Sequence, residues 1–394
     1  MTRDKLSVLT ASAGFDVCGT EGTRNSDPSP FRFLYKVTLP QGSSVCLFKV
    51  LQTNVCTNDC AYCTNQTGRD CPRFTFQPDE LAKIFMDLNR KRIARGLFLS
   101  SAITANPSQT MEKMINTTEI LRHRYEYKGY IHLKIMPGAS FDCIEEACKL
   151  ANRVSVNMEA PTMEHLAKLS SRKDLFHGII ERMKWVKQIT DRNANMAPSG
   201  QTTQFVVGAA GETDRELIDT TQALYKEIGL RRAYFSAFSP ISHSRLEDRR
   251  PTPPIREHRL YQVDWLLRVY GFPIHEVALA LDNNEFLPLR KDPKMVIAGK
   301  EPWLFPVDVN RAGYDELLRV PGIGPVSASR IIEARKDHSI DSLEQLNKMR
   351  VVVKRANPFI WFRSMLSSEK QLCFLPQMDE EKREPEPTLA AACR

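Results

Sequence analysis

Residues 49–63, K-V-L-Q-T-N-V-C-T-N-D-C-A-Y-C, close an apolar strand pattern and then place Cys56, Cys60 and Cys63 within eight residues. Three thiolates separated by three and by two residues can wrap three corners of a [4Fe–4S] cube and leave the fourth iron without a protein ligand, open to a substrate or cofactor. A structural zinc site would need four ligands in a closed tetrahedron, and the nearest further thiol, Cys71, stands eight residues on. The ten cysteines, at 18, 46, 56, 60, 63, 71, 143, 148, 373 and 393, are otherwise scattered, which in a chain of 394 residues without a secretion signal fits metal binding better than a disulfide framework.

Outward from the triplet, short apolar runs alternate with stretches of helical period, the pattern of successive βα units. The predicted strands are Val45–Gln52, Gly96–Ser101, Tyr130–Met136, Arg153–Met158, Thr202–Val207 and Ala233–Phe238. Helices are predicted between them at Pro78–Arg95, Met111–Tyr125, Ser140–Ala151, Met163–Leu169, Leu175–Thr190 and Asp214–Ile228. The fold class is therefore α/β: a partial parallel (β/α)6 TIM-like barrel whose reactive groups belong at the C-terminal ends of the strands. By period-two alternation Ser155, Asn157 and Glu159 share one face, and three inward polar groups are costly unless something bonds them.

C-x3-C-x-aromatic-C after the first strand of such a barrel resembles the signature of the radical S-adenosylmethionine (SAM) superfamily. The resemblance implies a [4Fe–4S] cluster on Cys56, Cys60 and Cys63, with SAM chelating the open iron and Tyr62 beside its adenine. It implies reductive cleavage of SAM to a 5′-deoxyadenosyl radical, fed by a flavodoxin- or ferredoxin-type electron donor. Ser100 and Ser101 stand where many members carry a Gly-Gly-Glu run. Lys134 is placed to meet the SAM carboxylate or an anionic substrate, or to face solvent. The ribose hydroxyls and ammonium of SAM are the partners expected for Ser155, Asn157 and Glu159. Gly208 and Gly211, in V-G-A-A-G-E-T-D, resemble the run that approaches the adenine, although the same letters make a strand–turn–helix junction with no ligand.

Residues 308–335, D-V-N-R-A-G-Y-D-E-L-L-R-V-P-G-I-G-P-V-S-A-S-R-I-I-E-A-R, resemble a helix-hairpin-helix motif. Its first helix is predicted to end near Arg319 and its second to begin near Pro325, around the turn P-G-I-G-P. Gly322, Ile323 and Gly324, with Arg330, are the candidate contacts to a nucleic-acid phosphate, which positions a strand without reading its sequence. Val326 and Ser327 occupy places where many DNA-binding examples carry a basic residue, and a structural or protein-binding hairpin is the alternative.

The predicted organisation is an N-terminal extension (1–43), the radical SAM barrel (44–240), a connector and barrel-covering segment (241–304), an all-α hairpin module (305–366) and a disordered, charged tail (367–394). The net charge of +8 is compatible with nucleic acid or with a basic solvated surface. No stretch approaches the roughly 20 apolar residues that span a bilayer, so the expected location is cytoplasmic. This order of parts resembles a bacterial radical SAM family described as acting in DNA modification or repair, over about residues 30–366. The functional expectation is a radical SAM enzyme acting on nucleic acid, DNA first. The alternatives are a transfer-RNA-modifying radical SAM enzyme and a non-catalytic DNA-binding protein with a structural cluster.

Overall fold

A computed structural model of the chain describes residues 2–14, 34–38 and 44–362. Its main sheet has seven strands in sequential order: β1 (Leu34–Thr38), β2 (Ser44–Leu51), β3 (Gly96–Ser100), β4 (Tyr130–Lys134), β5 (Arg153–Ser155), β6 (Gln201–Val207) and β7 (Arg232–Ala237). β2 to β7 pair in parallel, which matches the six strands predicted, while β1 pairs antiparallel with β2 at the edge. The sheet curls into a half-barrel. The antiparallel edge strand was not foreseen, because a five-residue L-Y-K-V-T run is short and its partner is decided only by pairing.

The helices are α1 (Thr2–Ala13), α2 (Pro78–Arg90), α3 (Pro107–Glu119), α4 (Phe141–Leu150), α5 (Met163–Leu169), α6 (Glu181–Arg192), α7 (Asp214–Ala223) and α8 (Pro254–Arg268). Their starts follow local chemistry. Proline occupies the first turn of α2 and α3, the Asn106 side chain accepts from the Ser108 amide at 2.8 Å, and Thr213 with Glu216 forms a capping box on α7. α8 begins at Pro254, since proline is tolerated at a helix start where its missing N–H costs nothing.

The outward side chains of the strands pack on the helices: Phe48 stacks on Phe85 of α2 with ring centroids 6.4 Å apart, and Phe235, stacked on Phe205 of the neighbouring strand, meets Tyr261 of α8 edge-on at 5.4 Å. Each such buried ring contributes about 1.5–3 kcal/mol. The opposite faces of the same strands carry Leu51, Ser100, Lys134, Gln204, Val206 and Ser236, all of which line one cavity.

The chain divides into two compact units, Met1–Trp265 with Leu281–Leu289, and Leu266–Ala280 with the residues from Arg290 onward. The second contains α9 (Ile274–Ala278), α10 (Pro293–Lys300), α11 (Tyr314–Arg319), α12 (Pro325–Ala334), α13 (Leu343–Lys348) and α14 (Val353–Ala356). It is not wholly helical: β8 (Val307–Asp308) pairs in parallel with β9 (Ile360–Trp361). This corrects the all-α expectation, since two-residue strands are too short to leave a periodic signal. No described helix is long and apolar enough to cross a membrane. The tail predicted at 367–394 lies outside the described residues.

Candidate active site

The cysteine loop leaves β2 and is held on all sides by backbone bonds. Thr57 donates its amide to the Ile103 carbonyl at 2.9 Å, Ala61 to Leu169 at 2.9 Å, and Thr67 to Asn58 at 2.7 Å. Arg73 donates through one guanidinium to the carbonyls of Asn54, Asn65 and Gln66, at 2.6, 2.9 and 2.8 Å, tying the loop together through its backbone. Cys56, Cys60 and Cys63 thereby line one wall of a cavity of about 210 Å³. Cys71 does not line it, and its thiol points to the Thr64 carbonyl at 3.9 Å.

The donor set fits an iron cluster. Burial pushes the Cys63 thiol up to about 12 and the Cys60 thiol above its ordinary value. Thiolates at these positions therefore need a positive partner, which iron supplies. Among the described residues no three His, Cys, Asp or Glu side chains converge tightly enough for a single ion, so the three thiols share a cavity without meeting at a point.

The same cavity is lined by Tyr62, Ser100, Ser101, Lys134, Asn157 and Glu159, six of the nine predicted SAM contacts. Ser100 is 2% exposed and Asn157 7% exposed, yet neither side chain makes a hydrogen bond among the described residues. Neither is among the polar atoms sealed from solvent without a partner, so both face the open cavity and fit a polar ligand. Ser155, Gly208 and Gly211 lie outside the cavity lining. Ser155 bonds the ring of His132 at 2.9 Å, one layer deeper in the half-barrel. Gly208 has φ +86 and a Cβ there would stand 2.0 Å from Thr252 Oγ1, so its glycine serves backbone packing against the Thr252 hydroxyl. Glu212 turns its carboxylate back onto the Gly208 and Ala210 amides, and Arg256 holds Asp214 at 2.8 Å.

Two groups that sequence reasoning missed complete the site. Lys173 donates to Tyr62 Oη and to Glu159 Oε1, both at 2.9 Å, with its side chain 8% exposed. Burial alone would lower its pKa, but the charges of Cys60 and Glu159 outweigh burial and raise it. Asp59 accepts from Ser170 Oγ at 2.5 Å and Ser171 Oγ at 2.7 Å; burial alone would raise its pKa, yet these bonds hold the carboxyl at about 2. Residues 169–173 thus strap the cysteine loop from outside. The trace in the sequence is the run S-S-R-K-D at 170–174, which has no periodic signal of its own.

Three comparisons bear on this geometry. Residues 50–224 match the radical SAM superfamily. The half-barrel is a radical SAM domain. Residues 306–356 match a helix-hairpin-helix motif. The chain is also similar to the tRNA-2-methylthio-N(6)-dimethylallyladenosine synthase of Lachnoclostridium phytofermentans, 23% identical over 198 residues, covering 48% of this chain and 40% of that protein. The chain thus spans well under half the length of that relative. Among solved structures it resembles HydG, a maturase of the [FeFe]-hydrogenase, with TM-score 0.45, 9% identity and coverage of 56% of this chain and 49% of the other. HydG from Carboxydothermus hydrogenoformans aligns with TM-score 0.42, 13% identity and coverage of 53% and 48%. The radical SAM domain is that of an enzyme whose cofactors are a [4Fe–4S] cluster and SAM.

In the helix-hairpin-helix motif, α11 and α12 end and begin at Arg319 and Pro325, as predicted. Ile323 is buried, Arg330 is exposed, and Gly322 has φ +90. α13 and α14 form a second helical hairpin that packs on the first: Val352 donates its amide to the Gly322 carbonyl at 2.9 Å, and Ser327 Oγ donates to the Arg350 carbonyl at 2.9 Å. From α10, buried Lys294 donates to the Ile323 carbonyl at 2.6 Å and lies 4.8 Å from the Tyr270 ring centroid. Burial pulls its pKa from 10.5 down to about 7 against the opposing Asp292 carboxylate. Between pH 7 and 10 the unfolded lysine therefore holds a proton that the folded one has released. Stability should rise with pH across that window, by up to about 1.4 kcal/mol per pH unit, and level off at a lower value below pH 7. Urea midpoints followed by tryptophan fluorescence test this, and Lys294→Met is expected to flatten the profile.

Proposed function

We propose that the chain cleaves SAM reductively in the cavity and acts on a nucleic acid, with modification or repair of a DNA base or sugar as the leading reading. Cys56, Cys60 and Cys63 hold the cluster in this reading. Tyr62, Ser100, Ser101, Lys134, Asn157 and Glu159 contact SAM. Bound there, cluster and SAM supply one-electron cleavage to methionine and a 5′-deoxyadenosyl radical that takes hydrogen from the substrate. The chain's own part is to orient and to exclude water: Lys173 fixes Tyr62 and Glu159 in one arrangement, and the half-barrel wall encloses the reacting groups. A flavodoxin- or ferredoxin-type protein is the proposed electron donor.

The observation that carries the nucleic-acid substrate is the helix-hairpin-helix motif, with Gly322, Ile323, Gly324 and Arg330 as its proposed phosphate contacts. RNA is the second reading, favoured by the name of the relative that shares 23% identity. Release of 5′-deoxyadenosine after anaerobic reconstitution, with and without duplex DNA, single-stranded DNA and transfer RNA, tests both. Stimulation by none of them would remove the nucleic-acid assignment.

SAM contact has its own test. Asn157→Ala deletes an amide with no protein partner, so a lost hydrogen bond to a charged ligand, about 1.5–3 kcal/mol, should weaken SAM binding by roughly 10- to 100-fold. Iron content should stay unchanged. Glu159→Ala is less clean, because it leaves the buried Lys173 ammonium without its carboxylate, and Glu159→Gln is the variant to compare. Unchanged SAM affinity in Asn157→Ala and Glu159→Gln would return both residues to a structural role.

A further inference from the structure

Three arginines that do not line the cavity are bonded to backbone and side-chain groups beside it. Arg69 donates to the Ser242 carbonyl at 2.7 Å, Arg172 to the Thr57 carbonyl, and Arg245 to Asp59 Oδ2 at 3.3 Å. Their anchors, Ser242, Thr57 and Asp59, adjoin the lining residues Ile241 and Asn58, which puts the three guanidinium groups beside the cavity lining. Each is held through one nitrogen in these bonds, whereas a guanidinium has five N–H groups in a planar fork that suits phosphate oxygens. Arg172 is exposed, and the Arg245 side chain is 55% exposed. Of the neighbouring carboxylates, Asp59 is taken by Ser170, Ser171 and Arg245, Asp174 accepts from the His177 amide at 2.8 Å, and Glu247 accepts from the His243 amide at 2.6 Å.

An exposed aromatic ring stands three residues beyond the lining residue Lys173. Phe176 is 53% exposed, and two residues on, Gly178 accepts at 3.0 Å from the amide of Gly138, next to the lining residue Pro137. A phenylalanine left in water has burial to gain from a flat apolar partner. Cationic forks beside a cavity, with an exposed ring, are the two components by which proteins hold single-stranded nucleic acid: backbone neutralisation and base stacking.

We propose that Arg69, Arg172, Arg245 and Phe176 form a docking rim for a single-stranded phosphodiester backbone, delivering one unstacked nucleotide into the cavity. The proposal rests on the nucleic-acid reading of the substrate and adds a binding surface within the first unit, independent of the hairpins. A paired, stacked base cannot reach a cavity floored by strand ends, so the strand must be single or locally opened there.

The test is binding of fluorescent 15-nucleotide oligo-dT and oligo-U by the full-length protein between 50 and 300 mM salt, read by anisotropy, with blunt duplex as comparison. In R69Q/R172Q/R245Q the slope of log affinity against log salt is expected to fall by about 2, roughly 0.7 for each phosphate no longer neutralised, with at least a tenfold loss near 100 mM. R69K/R172K/R245K should recover most of the slope. Phe176→Ala should weaken binding roughly tenfold at every salt concentration without changing the slope, because stacking releases no counterions. If the glutamine variant loses iron, Arg69→Gln and Phe176→Ala carry the comparison, since neither side chain bonds the segment between the cluster cysteines. Wild-type affinity and slope in these variants would overturn the rim and leave the nucleic-acid reading standing on the hairpins. Equal weakening of duplex and single-strand binding by Phe176→Ala would overturn the single-strand assignment. A wild-type protein that binds none of the probes would instead remove the nucleic-acid reading itself.

Discussion

Alanine at Cys56, Cys60 or Cys63 is expected to abolish the iron–sulfur cluster, whereas Cys71→Ala retains it. The cluster has three protein thiolates in this assignment, so deletion of one leaves an iron corner without a ligand and exposes the cube to solvent. Among the described residues no other thiol lines the cavity: Cys71 lies off the lining and is turned to the Thr64 carbonyl. The folded loop should survive the substitutions, because Arg73 and the amides of Thr57, Ala61 and Thr67 hold it through backbone carbonyls. Iron and sulfide content after anaerobic purification, with the visible absorbance of the cluster, checks this. A full cluster in all three variants would sink the ligand assignment, and loss in Cys71→Ala would mean a fourth ligand and a closed site.

Gly322→Val is expected to cost the second unit several kcal/mol and to remove its nucleic-acid binding. Two independent penalties coincide. The residue has φ +90, where a β-branched side chain is strained by roughly 1–3 kcal/mol, and its Cβ would stand 2.5 Å from the Val352 carbonyl oxygen and 3.1 Å from Arg355 Cβ. The two hairpins would have to separate. Gly324 differs: its φ of −107 and ψ of 177 suit any residue, and the nearest atom to an added Cβ is Tyr270 Oη at 3.1 Å. Gly324→Ala should therefore leave the fold nearly intact and test phosphate approach alone. Urea denaturation separates the two variants, and oligonucleotide anisotropy measures the affinity. Wild-type binding in both would make the hairpins structural or protein-binding elements. Truncation at Pro306 is a poorer experiment, since it would strip α9 and α10 of partners in the same unit: Glu276 bonds Arg319 at 2.5 Å and Lys294 bonds Ile323.

The cysteine spacing, the six alternating βα units and the P-G-I-G-P turn were legible in the sequence because each is a local signal. Spacing along a loop, periodicity within an element and the conformational freedom of glycine need no knowledge of distant partners. Local alternation also put Ser155, Asn157 and Glu159 on one face. It could not say how deep each would sit: β5 ends at Ser155, which bonds His132 on the neighbouring strand, while Asn157 and Glu159 continue into the cavity. Glu159 even adopts φ +65, which ends the strand alternation at that point. V-G-A-A-G-E-T-D reads equally as a ligand run or as a ligand-free strand–turn–helix junction, and its contacts with Thr252 and Arg256, some forty positions away, come only from the tertiary structure. Lys173 meets Tyr62 across 111 residues, and no pattern near either one announces the pair. Tertiary structure decided these points because burying an ammonium, a carboxylate and a phenol together is favourable only once loops remote in sequence have closed over the same cavity.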